Sequence, residues 1–190
     1  MGRKAKHDKT DWLLAAFKTL GEEGIDGVKV ERIAKKLNTT KGSFYWHFAD
    51  RPALLTQMLE FWEQEGTHEI INALDDQGNS ASEKLRALAR LSTATQIHGL
   101  DSIAVEGALR AWAGQEPWVG DRIRATERAR IEYVAHLLEQ MGYDNPSAKE
   151  IAHQLYLMLL GLYSIMRHDP HPGHSQAFIA FADQLADKSR

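Results

Sequence analysis

A chain of 190 residues with 43% hydrophobic and 26% charged side chains is large enough for one good core or two small ones. It has no cysteine, which excludes disulfides, a thiolate metal site and a cysteine nucleophile, and a cytoplasmic location is expected. The formal net charge of −3 hides an asymmetry, since residues 1–51 carry 11 Lys and Arg against 7 Asp and Glu, and the remainder 12 against 19. A basic first quarter on an acidic remainder fits one end that binds nucleic acid and one that avoids it.

Met1 to Lys9, with Arg3, Lys4, Lys6 and Lys9, reads as a basic tail, either laid along DNA or simply solvated. No signal peptide is apparent there. Trp12, Leu13, Ala16, Phe17 and Leu20 have the spacing of an amphipathic helix from about Thr10 to Leu20. Gly21, Gly24 and Gly27 then stop the helix; no strand precedes them, so they are not a dinucleotide fingerprint. Val28, Ile33, Ala34 and Leu37 mark the apolar side of a second, short helix whose other positions are charged: Lys29, Glu31, Arg32, Lys35 and Lys36. Asn38 tolerates the left-handed conformation that ends a helix, and Thr40 suits the N-cap of the next, Lys41 to Phe48. Phe44 and Phe48 are four apart and share a buried face. Asp50 can cap a further helix with Pro52 in its first turn. Two short helices joined by a tight turn make a helix-turn-helix.

The outward face of the second of these helices carries Lys41, Gly42, Ser43, Tyr45, Trp46 and His47. Lys41, Tyr45, His47 and the following Arg51 are donors suited to phosphates. Ser43 is the first candidate for reading base edges, with Lys41 able to reach a guanine; Glu31 and Trp46 are further candidates. Gly42 would admit close approach. The competing reading is that Tyr45, Trp46 and His47 only cover a small core.

The run SFYWHFADRPALL, with VERIAKKL before it, resembles the N-terminal domain of the TetR family of bacterial transcriptional regulators, densely from about Thr10 to Leu59. Asn38 stands where the family usually has Gly, and Lys29 where it often has a capping Thr. The resemblance implies an all-α protein. An N-terminal three-helix DNA-binding domain with the helix-turn-helix (residues 1–55) would precede a helical ligand-binding and dimerisation domain (56–190). It implies a regulator, commonly a repressor, that binds a palindromic double-stranded operator as a homodimer and leaves it when a small-molecule effector binds.

Beyond the motif, a helix is expected from Arg51 to about Leu74, a loop over Asp75 to Ser82, and five more helices. These are Ala81 to Ile97, Ser102 to Trp112, Gly120 to Met141, Ala148 to His168 and Ser175 to Lys188. No segment alternates with period two. The helix Ala148 to His168 is apolar almost all round, more than one small domain can cover. It predicts a dimer interface of Leu155, Leu159, Leu162, Tyr163 and Met166, joined by Phe178, Phe181 and Leu185 of the last helix. The apolar run Leu155 to Met166 is too short to cross a membrane. Between Ile97 and Tyr133, the mixture of His98, Glu106, Arg110, Trp112, Trp118 and Tyr133 suits a ligand pocket, and suits ordinary core and surface equally.

Catalytic patterns fail. His68-Glu69 opens a zinc-protease signature whose fifth position is Asn72, and neither a nucleophile elbow nor a P-loop occurs. His168, Asp169, His171 and His174 read first as a polar connection between helices, with a transition-metal site as the alternative; no resident metal or cofactor is expected. The alternatives are a helical enzyme, or a DNA-binding factor of the same fold without an inducer.

Overall fold

The computed structural model describes residues 7–188, so most of the expected basic tail, residues 1–6, lies outside the described residues. Among the described residues the chain forms ten α-helices and one two-stranded ribbon. Its contacts divide it into two compact units. One is the chain up to Glu63 with Gln96–Gly120, the other Gln64–Thr95 with the chain from Asp121 on. The expected boundary at 55/56 falls inside a helix, α4, that the first unit holds entire.

In the first unit, α1 (Lys9–Glu23) starts on a capping box in which Asp8 and Asp11 each accept from the other's backbone N–H at 2.9 Å. Its buried face is the expected one, Trp12, Leu13, Ala16, Phe17 and Leu20, with Thr19 added because its hydroxyl donates to Ala15 O at 2.8 Å. Gly24, at φ 70°, ends it. α2 (Val30–Lys36) follows a single 3-10 turn, and Lys29 at its N-cap makes no side-chain cap bond. Asn38, at φ 49°, turns the chain, and Thr40 Oγ1 accepts from Ser43 N at 3.3 Å to start α3 (Lys41–Phe44). α3 is one turn, shorter than expected; Tyr45 to His47 continue as turns. Phe44 and Phe48 stack at 5.2 Å, and Trp12 meets Phe44 edge-on at 5.5 Å. Burial of Phe44 and Ile33, both 0% exposed, contributes about 1.5–3 kcal/mol each. α4 (Arg51–Glu63) begins with Asp50 Oδ1 accepting from Ala53 N at 2.7 Å.

The same unit contains α7 (Ser102–Ala113), packed along α1. A Cβ at Gly21 would meet the Ala104 methyl at 3.5 Å, an ordinary van der Waals contact, so the two helices touch here without requiring glycine. Before α7 runs a ribbon the alternation pattern did not reveal. β1 (Gln96–Ile97) pairs antiparallel with β2 (Leu100–Asp101) through a turn of His98 at φ 51° and Gly99 at φ 72°. Strands of two residues are too short to alternate visibly, and the helix expected to reach Ile97 stops five residues earlier, at Ser92.

The second unit opens on a π turn, Gln64–His68, inside the helix expected to run unbroken from Arg51 to Leu74. Arg130 holds it, donating from Nε to Thr67 Oγ1 at 2.9 Å and from Nη2 to the Gly66 carbonyl at 3.2 Å. α5 (Glu69–Asp76) and α6 (Ala81–Ser92) follow, and α8 (Pro117–Gln140) enters this unit at Asp121. α9 (Asn145–Met166) starts on Asp144, which accepts from Ser147 N, with Pro146 in its first turn. α10 (Pro172–Asp187) packs on α6, where Arg86 and Arg90 pair with Asp183, and Arg86 also with Asp187.

The expected dimer face is corrected here. Leu155, Leu159, Leu162, Met166, Phe178 and Leu185 are all buried within their own chain, and Tyr163 and Phe181 are half-buried, Tyr163 donating to Ser92 O at 2.8 Å. The apolar side chains α9 leaves to solvent are Leu157 (54% exposed), Met158 (41%) and Ile165 (41%), around an exposed Gly161. In the α9–α10 connection His174 Nε2 stands 2.9 Å from Asp169 Oδ2, which holds the Asp169 carboxyl below its usual range. His171 Nδ1 accepts from Gly173 N. Among the described residues no three His, Cys, Asp or Glu are grouped to hold a metal, and no helix is long and apolar enough to cross a membrane.

Candidate nucleic-acid interface

α2, the Asn38–Thr40 turn and α3 build one polar surface from the residues that the apolar face leaves over. Val30, Ile33, Ala34 and Phe44 point into the core; Glu31, Lys35, Asn38, Thr40, Lys41 and Gly42 stay exposed. Tyr45 is 54% exposed and Trp46 85%, while Ser43 is half-buried behind the Thr40 cap. Gly42 has almost no steric neighbour, since a Cβ there would meet only Thr40 Oγ1, at 3.6 Å. No contact within the chain therefore requires glycine at that position.

Lys41 Nζ is ion-paired with Glu31 Oε1 across the two helices. The hydrogen bond between them lowers the Glu31 carboxyl below its usual range and raises the Lys41 ammonium above its own. An open groove of about 410 Å³ lies beside the pair, lined by Glu31, Ala34, Lys35, Asn38, Thr39 and Lys41. Lys35, Asn38 and Thr39 were not among the residues expected here. Asn38 and Thr39 look like turn-formers alone, and only the left-handed kink at Asn38 brings the turn beside Lys35 and Lys41.

Two expected phosphate donors are placed otherwise. Arg51 donates from Nε to Val28 O at 2.7 Å and from Nη2 to Ile25 O at 3.0 Å, tying the start of α4 to the loop before α2. His47 is half-buried, its ring 6.4 Å from that of Trp12, and its Nε2 is buried without a hydrogen-bond partner. On the helix flank facing α1, Arg32 and Lys36 are drawn to Glu23, and Lys36 also to Glu22 at 2.6 Å.

Of the residues expected to line a ligand pocket, Glu106 and Arg110 meet. Glu106 is buried, accepts from Trp62 Nε1 at 2.9 Å and pairs with the Arg110 guanidinium one turn on. Trp112 is buried with Trp118 edge-on at 5.6 Å, and Trp118 is itself exposed. His98 is exposed at the ribbon tip, its ring 6.1 Å from Phe61. Tyr133 belongs to the second unit, where its hydroxyl donates to Asp75 Oδ1 at 3.0 Å; burial first, and this bond second, raise its pKa well above the ordinary phenol.

Residues 13–58 match the sequence profile described as "Bacterial regulatory proteins, tetR family". The tetracycline repressor protein class A from transposon 1721 of Escherichia coli is 27% identical over 146 residues, 71% of this chain and 68% of that protein. The A-factor receptor protein of Streptomyces griseus is 31% identical over 60% of this chain, but the match spans only 40% of its own length. The fold is shared with a TetR transcriptional regulator from Legionella pneumophila, at a TM-score of 0.79 and 20% identity over 96% of this chain and 98% of that one. It is shared too with a protein from Saccharomonospora viridis crystallised in complex with choline, at a TM-score of 0.77 and 17% identity over 94% and 95%. With the helix-turn-helix in place, residues 13–58 form a DNA-binding domain of the TetR family of bacterial transcriptional regulators, and the chain shares the fold of solved structures of such regulators.

Proposed function

We propose that the chain is a repressor that binds a near-palindromic DNA operator as a homodimer and leaves it when a small molecule binds. The observation that carries the DNA contact is Trp46, a residue 85% exposed next to an exposed Tyr45 and four residues after an unhindered Gly42. An exposed indole and phenol beside a lysine, with a glycine that nothing inside the chain demands, suit the backbone and groove of a duplex. Lys41, Tyr45 and Trp46 then donate to phosphates or base edges, and Ser43 lies behind them as a base reader. Arg51 and His47 act from behind, holding the motif together.

A homodimer is supported by the exposed Leu157, Met158, Gly161 and Ile165 of α9, next in sequence to an α10 that leaves Ala177 and Ala180 in solvent. A two-fold axis there would present two motifs to successive major grooves, about 34–36 Å apart. For the effector, buried Glu106 and half-buried Arg110 supply paired polar groups among apolar helices. Binding of a small molecule by this fold has a precedent in the choline complex of the Saccharomonospora protein. The division of labour follows, with residues 1–55 binding DNA and residues 56–190 sensing and dimerising.

Sedimentation at micromolar concentration, followed by mobility shift on a palindrome from the neighbouring DNA, tests the reading. Ile165→Glu should yield a folded monomer that loses specific binding more than non-specific binding. Leu159→Glu should unfold the second unit instead. A wild-type monomer of 21.4 kDa in the absence of DNA overturns the dimer.

A further inference from the structure

Glu31 lies in the first turn of α2, where a carboxylate suits the helix N-terminus, but that role does not require its lysine partner, Lys41. The two side chains are 65% and 51% exposed, and an ion pair that open to water adds little to stability. On a surface facing a polyanion, a carboxylate is also misplaced if the surface serves only to hold phosphates. Its position makes sense against base edges, where exocyclic amines are the only hydrogen-bond donors in the major groove.

A G·C pair presents, in order across that groove, guanine N7 and O6, both acceptors, and then the cytosine N4 amine, a donor. Guanine O6 and cytosine N4 are hydrogen-bonded to each other and so lie side by side, about 2.9 Å apart. Lys41 Nζ and Glu31 Oε1 are likewise side by side within hydrogen-bond distance, an ammonium donor next to a carboxylate acceptor. Laid edge to edge, the two pairs are complementary, the lysine toward the purine and the carboxylate toward the pyrimidine. An A·T pair in the same orientation sets thymine O4, an acceptor, and the thymine methyl against the carboxylate, which repels the first and gains nothing from the second.

We propose that Glu31 and Lys41 together read one G·C base pair in each operator half-site, Glu31 accepting from cytosine N4 and Lys41 donating to guanine O6 and N7. The proposal rests on the reading of the chain as an operator-binding regulator and adds a specificity determinant to it. It gives Glu31 a second effect. Away from a G·C pair the carboxylate keeps Lys41 occupied and is itself repelled by phosphate, so the pair contributes no net attraction to DNA of arbitrary sequence.

Glu31→Ala separates these roles. Both side chains are more than half exposed, so the variant should stay folded and melt close to the wild type. Full-length wild type, Glu31→Ala and Lys41→Ala are each used to enrich double-stranded DNA from a random library. Binding of the enriched duplex, its single-base variants and a shuffled duplex is then followed by fluorescence anisotropy against salt. The expected result is that Glu31→Ala makes one G·C position per half-site degenerate, with about tenfold loss of discrimination there and none elsewhere. It should also bind the shuffled duplex more tightly, with a salt slope steeper by about one unit, because Lys41 is released to phosphate. Lys41→Ala should lose the same position without that gain. An identical motif and preference from wild type and Glu31→Ala overturns the proposal, as does a uniform loss of affinity across all positions. A wild type that enriches no motif overturns the operator reading itself, and the base-pair assignment with it.

Discussion

Arg51 separates a structural tie from a phosphate contact, and Arg51→Lys is the substitution that distinguishes them. Its guanidinium spans two carbonyls, Val28 O at 2.7 Å and Ile25 O at 3.0 Å, from a fixed fork. A charged donor to a neutral acceptor contributes about 1.5–3 kcal/mol when enclosed, and for this half-exposed side chain roughly 1–1.5 kcal/mol each is reasonable. A lysine keeps the positive charge but, as a single point donor, can hold only one of the two carbonyls. Arg51→Lys should therefore cost about 1–2 kcal/mol, and Arg51→Ala about 2–3 kcal/mol. For a chain of this size that lowers the melting temperature by roughly 2–4 °C per kcal/mol. Thermal melts followed by circular dichroism measure the loss, and anisotropy titrations at several salt concentrations measure DNA binding in the same preparations. With the charge retained, the salt slope of Arg51→Lys should not move. An Arg51→Lys protein that melts like the wild type, with an Arg51→Ala protein whose salt slope falls by about one unit, would refute the tie and return Arg51 to the phosphates.

Asn38→Gly should raise stability by about 0.5 kcal/mol in chemical denaturation, since φ is 49° at that position and glycine adopts it without a Cβ penalty; a fall would show that the amide makes a contact of its own. Trp62→Phe removes the indole donor to buried Glu106 Oε1 and should cost about 1–3 kcal/mol, read as a lower denaturation midpoint with an unchanged slope. An unmoved midpoint would mean that another donor reaches the carboxylate.

The helix-turn-helix was legible in the sequence because each of its rules acts over three or four residues. Thr40 caps, Asn38 takes the left-handed turn, and Phe44 and Phe48 share a face whatever lies elsewhere in the chain. Arg51 was misread because a guanidinium near a DNA-facing helix satisfies either role, and only the positions of two carbonyls, 23 and 26 residues back, decide between them. The outer face of α9 was misassigned for a related reason. When Leu155 and Leu157, or Met158 and Leu159, are all apolar, the excess of apolar surface is visible but its direction is not. That direction is set by what packs on the helix, and such contacts leave no local period in the sequence. The π turn at Gln64–His68 was invisible likewise, since it is held by Arg130, 63 residues on.

The first unit is built from two stretches of chain that are not neighbours in sequence. α1 lies against α7, with Gly21 beside Ala104 and Val105. Anyone transplanting this DNA-binding motif onto another helical domain, by a single crossover after Glu63, would strip α1 of the helix that covers it and expose its apolar flank. A working chimaera has to carry Gln96–Gly120 as a second insert, which brings the Glu106–Arg110 pair with it and ties exchange of heads to three splice points. Recombination at one point in the gene is correspondingly an unfavourable route to new pairings of this motif with other helical domains.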